Sequence, residues 1–162
     1  MKKLTGLVVL CLVLVFPMLA SAVELGDGYS ITPLENWKAQ DFAQLDHKIL
    51  VTTPVGDFTP NLNMGVQNFP GDLAEYVDLN FQQLVQAFKA EKISRTDFDA
   101  GNTKGIRLTT STEIQGKKLR QTFYFFENSK GTKVVVTCTA PHEGGESFDT
   151  VFDTMLHTFR VN

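Results

Sequence analysis

The sequence predicts an α+β protein in which one antiparallel β-sheet lies between helices, an α/β/α sandwich forming a single domain. Three observations carry this. Between Ile93 and Thr139 the chain gives four consecutive strand patterns separated by short turn signals, as an antiparallel meander does. Two segments, one after Pro70-Gly71 and one from Phe148 to Phe159, repeat apolar side chains at the spacing of a helix that lies on a core. The run Phe123-Tyr124-Phe125-Phe126 is apolar at both parities of its strand, so its sheet must be covered on both faces.

The N-terminus stands apart from this domain. Lys2 and Lys3 precede an apolar run from Leu7 to Phe16, and Ala20-Ser21-Ala22 follows, the pattern of a secretory signal cut after Ala22. The run is shorter than the ~20 residues a spanning helix needs, and Pro17 interrupts it, which argues against the alternative of a retained anchor. Cys11 follows Leu10 inside the apolar run, so no lipidation site is expected. The reading is therefore residues 1–22 as signal, residues 23–162 as the domain, and a periplasmic or secreted location. No second apolar stretch of spanning length follows, so no stable membrane span is expected after cleavage.

Along the domain, Tyr29 to Leu34 alternates as a short strand that Pro33 ends, and Trp37 among polar neighbours is expected to plug one end of the core. Lys48 to Thr53 and Leu62 to Phe69 read as the next strands. Between them the proline-bounded loop Pro54 to Pro60 carries Val55 and Phe58, with Phe58 expected to tuck onto the sheet or stand as a contact residue. Asp72 and Glu75 form a capping-box signature at the start of a helix whose apolar stripe is Leu73, Tyr76, Val77, Leu84, Val85 and Phe88, with Phe81 at its edge.

The meander strands are expected at Ile93–Phe98, Ile106–Ile114, Leu119–Glu127 and Thr132–Thr139. Turns fall at Gly101-Asn102, Gln115-Gly116-Lys117 and Asn128 to Gly131. The last helix is expected to carry Phe148, Val151, Phe152, Met155, Leu156 and Phe159 to the core. Glu146 and Asp149 lie near its N-terminus and Arg160 near its C-terminus, as the helix dipole favours.

Composition excludes some functions. The formal charge is −3, and removal of the leader takes away two lysines and no acids, so the mature chain is more acidic still. A surface of that sign repels phosphate backbones, and no basic run interleaved with aromatics offsets it, so no nucleic-acid partner is expected. Cys138 alone remains after processing; it sits in the alternating run Val134, Val136, Cys138, Ala140 and reads as a buried structural thiol.

Candidate chemistry is sparse. The three histidines are dispersed: His47 precedes a strand, His142 follows Pro141, and His157 falls opposite the apolar stripe of its helix. His142, Glu143 and Glu146, with Asp149 beyond, form a polar cluster that offers nitrogen and oxygen donors across a flexible Gly144-Gly145; acids at a helix N-terminus explain it without a metal. Asp97, Asp99, Asn102 and Thr103 around Gly101 look faintly like a calcium loop but lack its spacing and its terminal glutamate, and turn chemistry accounts for them. No nucleophile elbow, phosphate-binding glycine loop or H-E-x-x-H pair is present. No catalytic residue, metal or cofactor is expected. An acid–base enzyme would need His142 or His47 to meet a carboxylate in a polar cleft.

Three stretches resemble the PsbP/Mog1/DUF1795 superfamily, which includes DcrB-like exported bacterial proteins. Tyr29-Ser30-Ile31-Thr32-Pro33 with Trp37 looks like its opening strand and tryptophan. Phe58-Thr59-Pro60-Asn61-Leu62-Asn63-Met64, followed by the Leu73, Tyr76 and Val77 helix, is similar to its aromatic-x-Pro-Asn stretch. Tyr124-Phe125-Phe126, the Val134 to Thr139 strand, Ala140-Pro141 and the terminal helix complete the likeness. The resemblance implies a non-enzymatic accessory domain that binds another envelope protein, since members are extrinsic photosynthetic subunits, a GTPase regulator, effector chaperones or envelope proteins. An export signal is at odds with the cytoplasmic roles. The Pro54 to Pro60 loop, with Val55 and Phe58, is the candidate contact surface. The alternative is a carrier or sensor of a small apolar ligand, motivated by thirteen phenylalanines and the two-sided aromatic strand.

Overall fold

The computed structural model describes residues 21–161. The expected signal therefore lies almost wholly outside the described residues. Its last two positions lead into β1 (Val23–Gly26), which pairs antiparallel with β2 (Tyr29–Ile31). Then come β3 (Lys38–Gln40), β4 (Ile49–Val51), β5 (Asn61–Gln67), α1 (Leu73–Phe88), β6 (Glu91–Asp99), β7 (Lys104–Ile114), β8 (Lys117–Glu127), β9 (Lys133–Pro141), α2 (Glu146–Leu156) and β10 (Arg160–Val161). Seven strands form one sheet in the order β3-β4-β5-β9-β8-β7-β6, every pair antiparallel, and β1-β2-β10 form a second, small sheet. The expected meander is β6 to β9.

Local chemistry explains the junctions. Asp72 accepts the Glu75 N–H at 2.8 Å while the Glu75 carboxylate accepts the Asp72 N–H at 3.1 Å, a complete capping box. Gln115 and Gly116 both adopt positive φ, 52° and 76°, the backbone that a two-residue hairpin turn between right-twisted strands requires. The Asn128 side chain accepts the N–H groups of Lys130 and Thr132, each at 3.0 Å, which closes the β8–β9 turn.

Strand parity sorts β8 onto two cores. Tyr124 and Phe126 join Met64, Phe98, Val134, Val136, Cys138, Phe152, Met155, Leu156 and Phe159 beneath α2. Phe123 and Phe125 join Tyr76, Val77 and Leu108 beneath α1. Trp37 closes the first core edge-on to Phe152, with ring centroids 5.8 Å apart, and Cys138 is fully buried, both as expected. Beyond Phe123 the α1 side of the sheet turns polar: Thr112 donates to the Gln121 amide oxygen at 3.0 Å, and the Gln121 amide donates to Thr139 at 3.3 Å.

Several boundaries differ from the sequence reading. The strand from Tyr29 stops at Ile31, because the Thr32 N–H donates to Thr158 Oγ1 at 2.8 Å instead of continuing a ladder. The strand expected from Lys48 to Thr53 is paired only over Ile49–Val51. Ile93 sits in a β-bulge and is exposed. Val85 and Phe88, placed in the core-facing stripe, are 42% and 37% exposed, since α1 buries only Tyr76 and Val77 fully and its C-terminal half stands over a cleft. The last helix ends at Leu156. Thr158 donates its hydroxyl to the Met155 carbonyl at 2.6 Å, and Phe159 reaches the core from the extended segment that enters β10. Arg160 accordingly belongs to a strand paired with Ser30 rather than to a helix terminus.

Candidate functional site

Three connections meet at one end of the large sheet. The β4–β5 loop folds on itself through a bridge between Val55 and Phe58, whose backbone groups bond at 2.8 and 3.2 Å. The β7–β8 turn brings Lys117 to Asp57 at 2.5 Å, and the loop after β9 is pinned by the His142 N–H donating to the Lys118 carbonyl at 3.2 Å. Between them lies an open cleft of about 400 Å³ lined by Asp57, Phe58, Lys117, Lys118, Leu119, Pro141, His142 and Glu143. Phe58, Leu119 and Pro141 make it apolar at the base; two lysines, an imidazole and two carboxylates rim it. The Lys117 ammonium holds the Asp57 carboxyl below its ordinary range.

The fold thus unites Phe58 with His142 and Glu143, which the sequence offered as two unrelated candidates. Val55 stands exposed on the same loop, while Phe58 is half-buried. Glu146 opens α2, exposed and outside the cleft lining. The His142 imidazole meets the Ser111 hydroxyl at 3.2 Å. Among the described residues no three His, Cys, Asp or Glu side chains converge as metal ligands would. Asp149, the outer member of the polar cluster, turns away from His142 to two arginines.

Those arginines belong to a set that the sequence reading missed. Arg120 on β8 grips Asp149 with two prongs, Nε to Oδ1 at 3.0 Å and Nη2 to Oδ2 at 2.7 Å. Arg107 on β7 reaches the same Asp149 oxygen at 3.3 Å and donates from Nε to Asp153 Oδ1 at 2.9 Å. Tyr124, opposite Arg107 in register, donates its hydroxyl to Asp153 at 2.5 Å. Burial would raise the Asp149 carboxyl, but hydrogen bonds and charge from Arg120 and Arg107 outweigh it and hold it low. Burial, with Cys138 and Asp153 beside it, pushes the Tyr124 hydroxyl far up, and burial does the same to the Cys138 thiol. The set is charge-balanced and clamps α2 to the sheet. Its sequence signal was the i, i+4 acids Asp149 and Asp153 on one side of α2, matched by arginines at inward positions of neighbouring strands.

A second pairing unites residues distant in sequence. His47 Nε2 lies 3.1 Å from Asp27 Oδ2, the ring edge-on to Tyr29 and packed against Gly26, where a Cβ would come within 3.0 Å of the ring. Asp27 sits at the tip of the β1–β2 turn with φ of 53°, and its carboxylate is 73% exposed. His47 is buried and ties the β3–β4 loop to that hairpin. His157 is solvated, as expected, but its ring stacks on Phe98 with centroids 4.7 Å apart. Of the residues around Gly101, Asp97 and Asp99 belong to β6, while the Asn102 side chain bonds both backbone groups of Val161, at 2.9 and 3.1 Å, and so extends the β10 ladder.

No family model and no curated protein matches the chain. Solved structures do. A Pseudomonas aeruginosa protein of unknown function, PA94, aligns with a TM-score of 0.61 at 13% identity over 78% of this chain and 98% of its own. Cyanobacterial PsbP (CyanoP) from Synechocystis sp. PCC 6803 aligns at 0.60 with 15% identity, covering 88% and 94%. LpqN of Mycobacterium tuberculosis, described as involved in cell envelope biogenesis, aligns at 0.60 with 14% identity, covering 87% and 90%. Identities this low speak for the fold alone. The fold is PsbP-like, as the three sequence stretches implied.

Proposed function

We propose, from a PsbP-like fold with an apolar-based cleft at its loop end, that the protein is an exported, non-enzymatic accessory domain of the bacterial cell envelope that binds another envelope protein. The observation that carries this is the convergence of Phe58, Leu119 and Pro141 under a rim of Lys117, Lys118, His142 and Glu143. An apolar base with a polar rim is the anatomy of a protein contact, where a buried anchor supplies affinity and the rim supplies register. Envelope residence draws support from the N-terminal signal pattern and from the description of LpqN. Among the described residues no helix is long and apolar enough to cross a membrane. The imidazole–carboxylate pair that an enzyme would need exists at His47 and Asp27, but the ring is buried against Tyr29 and Gly26 with its carboxylate partner exposed, and the pair reads as a tether between two loops.

Site-specific photo-crosslinking in cells tests the reading. A crosslinker placed at Phe58 or Lys118 should trap one protein of defined mass that a crosslinker at Leu79, on the outer side of α1, does not. Equal trapping from all three positions, or from none, would count against the cleft as a contact surface.

A second reading has one observation of its own. Leu84, Ala87 and Phe88 of α1 face Phe123, Val135 and Thr137 across a cleft of about 330 Å³, within the size range of small-ligand sites. A small apolar ligand carried there would appear as a bound mass in native mass spectra of the purified protein and would be displaced by Phe123→Trp.

A further inference from the structure

The two edges of the large sheet are unequal. At one end β3 has three residues; at the other β6 has nine, paired with β7 on its inner side and with no strand on its outer side among the described residues. A long unpaired edge is either blocked or used, and charged side chains decide which strands fit beside it. Those of β6 are Glu91, Lys92, Arg95, Asp97 and Asp99.

Self-pairing across a two-fold axis sets the central residue of β6 opposite itself and each neighbour opposite its mirror position. Centred on Ser94, Asp97 meets Glu91. Centred on Arg95, two guanidinium groups meet. Centred on Asp97, two carboxylates meet, and centred on Phe98, Asp97 meets Asp99 on both sides of the axis. Centred on Ile93 no like charges meet, but that axis falls on the bulge. On the regular edge only the register centred on Thr96 brings no like charges together, and it sets Arg95 against Asp97 twice. Odd registers are excluded because they would put facing side chains on opposite sides of the sheet.

The side chains are placed for this register. Arg95 is held at the edge by the Asp78 carboxylate and the Ala74 carbonyl of α1, and Asp97 is exposed with no ion pair among the described residues. The bulge at Ile93 ends the regular edge just beyond Ser94, so the usable ladder runs from Ser94 to Phe98. We propose that two copies of the protein associate through β6, antiparallel about Thr96, with Arg95 of each copy paired to Asp97 of the other, so that the two large sheets become one. The ladder is short, so the dimer forms only at elevated concentration, with an area below the ~1,200 Å² of stable interfaces.

Sedimentation velocity over a wide concentration range tests the association, and hydrogen exchange locates it. The expected result is a monomer–dimer equilibrium in which amide protection from Ser94 to Phe98 rises with concentration. Asp97→Lys should weaken dimerisation at least tenfold, and Arg95→Glu combined with Asp97→Lys should restore it. Loss of the Asp78 contact accompanies Arg95→Glu, so thermal midpoints are recorded for each variant; the exchange measurement on the unaltered protein stands without them. A monomer at every concentration overturns the proposal. So does a dimer that leaves Ser94 to Phe98 unprotected, and so does protection that appears only when envelope extract is added, which would assign the edge to a foreign strand.

Discussion

Arg120 and Asp149 meet through two parallel hydrogen bonds, at 3.0 and 2.7 Å, across the gap between β8 and α2. Both side chains are largely buried, so neither is solvated well without the other. Asp149→Ala leaves the largely buried Arg120 without a carboxylate partner and Arg107 with Asp153 alone, and is expected to lower unfolding free energy by about 2–3 kcal/mol. Arg120→Leu should cost a similar amount, and the double variant less than the sum. A urea-denaturation cycle measures this coupling; strict additivity would show that the pair contributes nothing of its own.

The same pair gives an acid limit. Asp149 is held below its ordinary pKa in the folded chain, chiefly by Arg120 once burial is overcome, so as pH falls the unfolded chain takes up its proton first. Its contribution is complete above roughly pH 4 and is lost as pH falls further, toward the folded value. Thermal midpoints recorded between neutral and strongly acidic pH should fall below about pH 4. The fall should be shallower in Asp149→Asn, whose side chain does not titrate.

Gly105 tests close packing of the sheet. A Cβ at this position of β7 would lie 2.2 Å from the Phe125 carbonyl oxygen and 2.5 Å from the Phe126 ring, so a side chain here forces strand and ring apart. Gly105→Ala is expected to destabilise by about 2 kcal/mol or more, against the usual gain from replacing a strand glycine. A neutral result in chemical denaturation would show that β7 and β8 can separate at that end.

Helix α1 depends on its first turn. Asp72→Ala removes the acceptor for the Glu75 N–H and should cost about 1 kcal/mol, with Asp72→Ser retaining most of it. Because α1 covers Leu108, Phe123 and Phe125, the loss should appear as faster amide exchange in that core before it appears beneath α2.

Cys138 should be silent in the native state. It is fully buried, and burial pushes its thiol well above the ordinary range. A thiol reagent is expected to label it only at the rate of unfolding, and rapid labelling in native buffer would contradict the closed core.

Elements whose apolar pattern is local were legible. The capping box, the meander and the two-sided Phe123–Phe126 strand all follow from neighbours within one turn or one hairpin, whereas Trp37 was legible from its size alone and is buried by the distant Phe152. Elements made by distant partners were not. β1, β3 and β10 are two to four residues long and exist because Ile31, Leu50 and Ser30 lie beside them. The Arg120–Asp149 clamp failed to show for the same reason: each charge looks solvated until register sets β8 under α2. Val85 and Phe88 misled in the opposite sense. Their spacing is that of a core stripe, yet both stay partly exposed, and Phe88 stands over an open cleft beside Phe123, Val135 and Thr137 instead of closing on them.

The pairing of Arg160 with Ser30 and Val161 with Tyr29 fixes the order in which the molecule can be completed. The opening hairpin waits for a strand from the far end of the chain, and β5 waits for β9, so local contacts alone cannot close either sheet. A chain emerging from a narrow channel, N-terminus first, would stay open and threadable until its last segment arrived, and would then lock in a single late step.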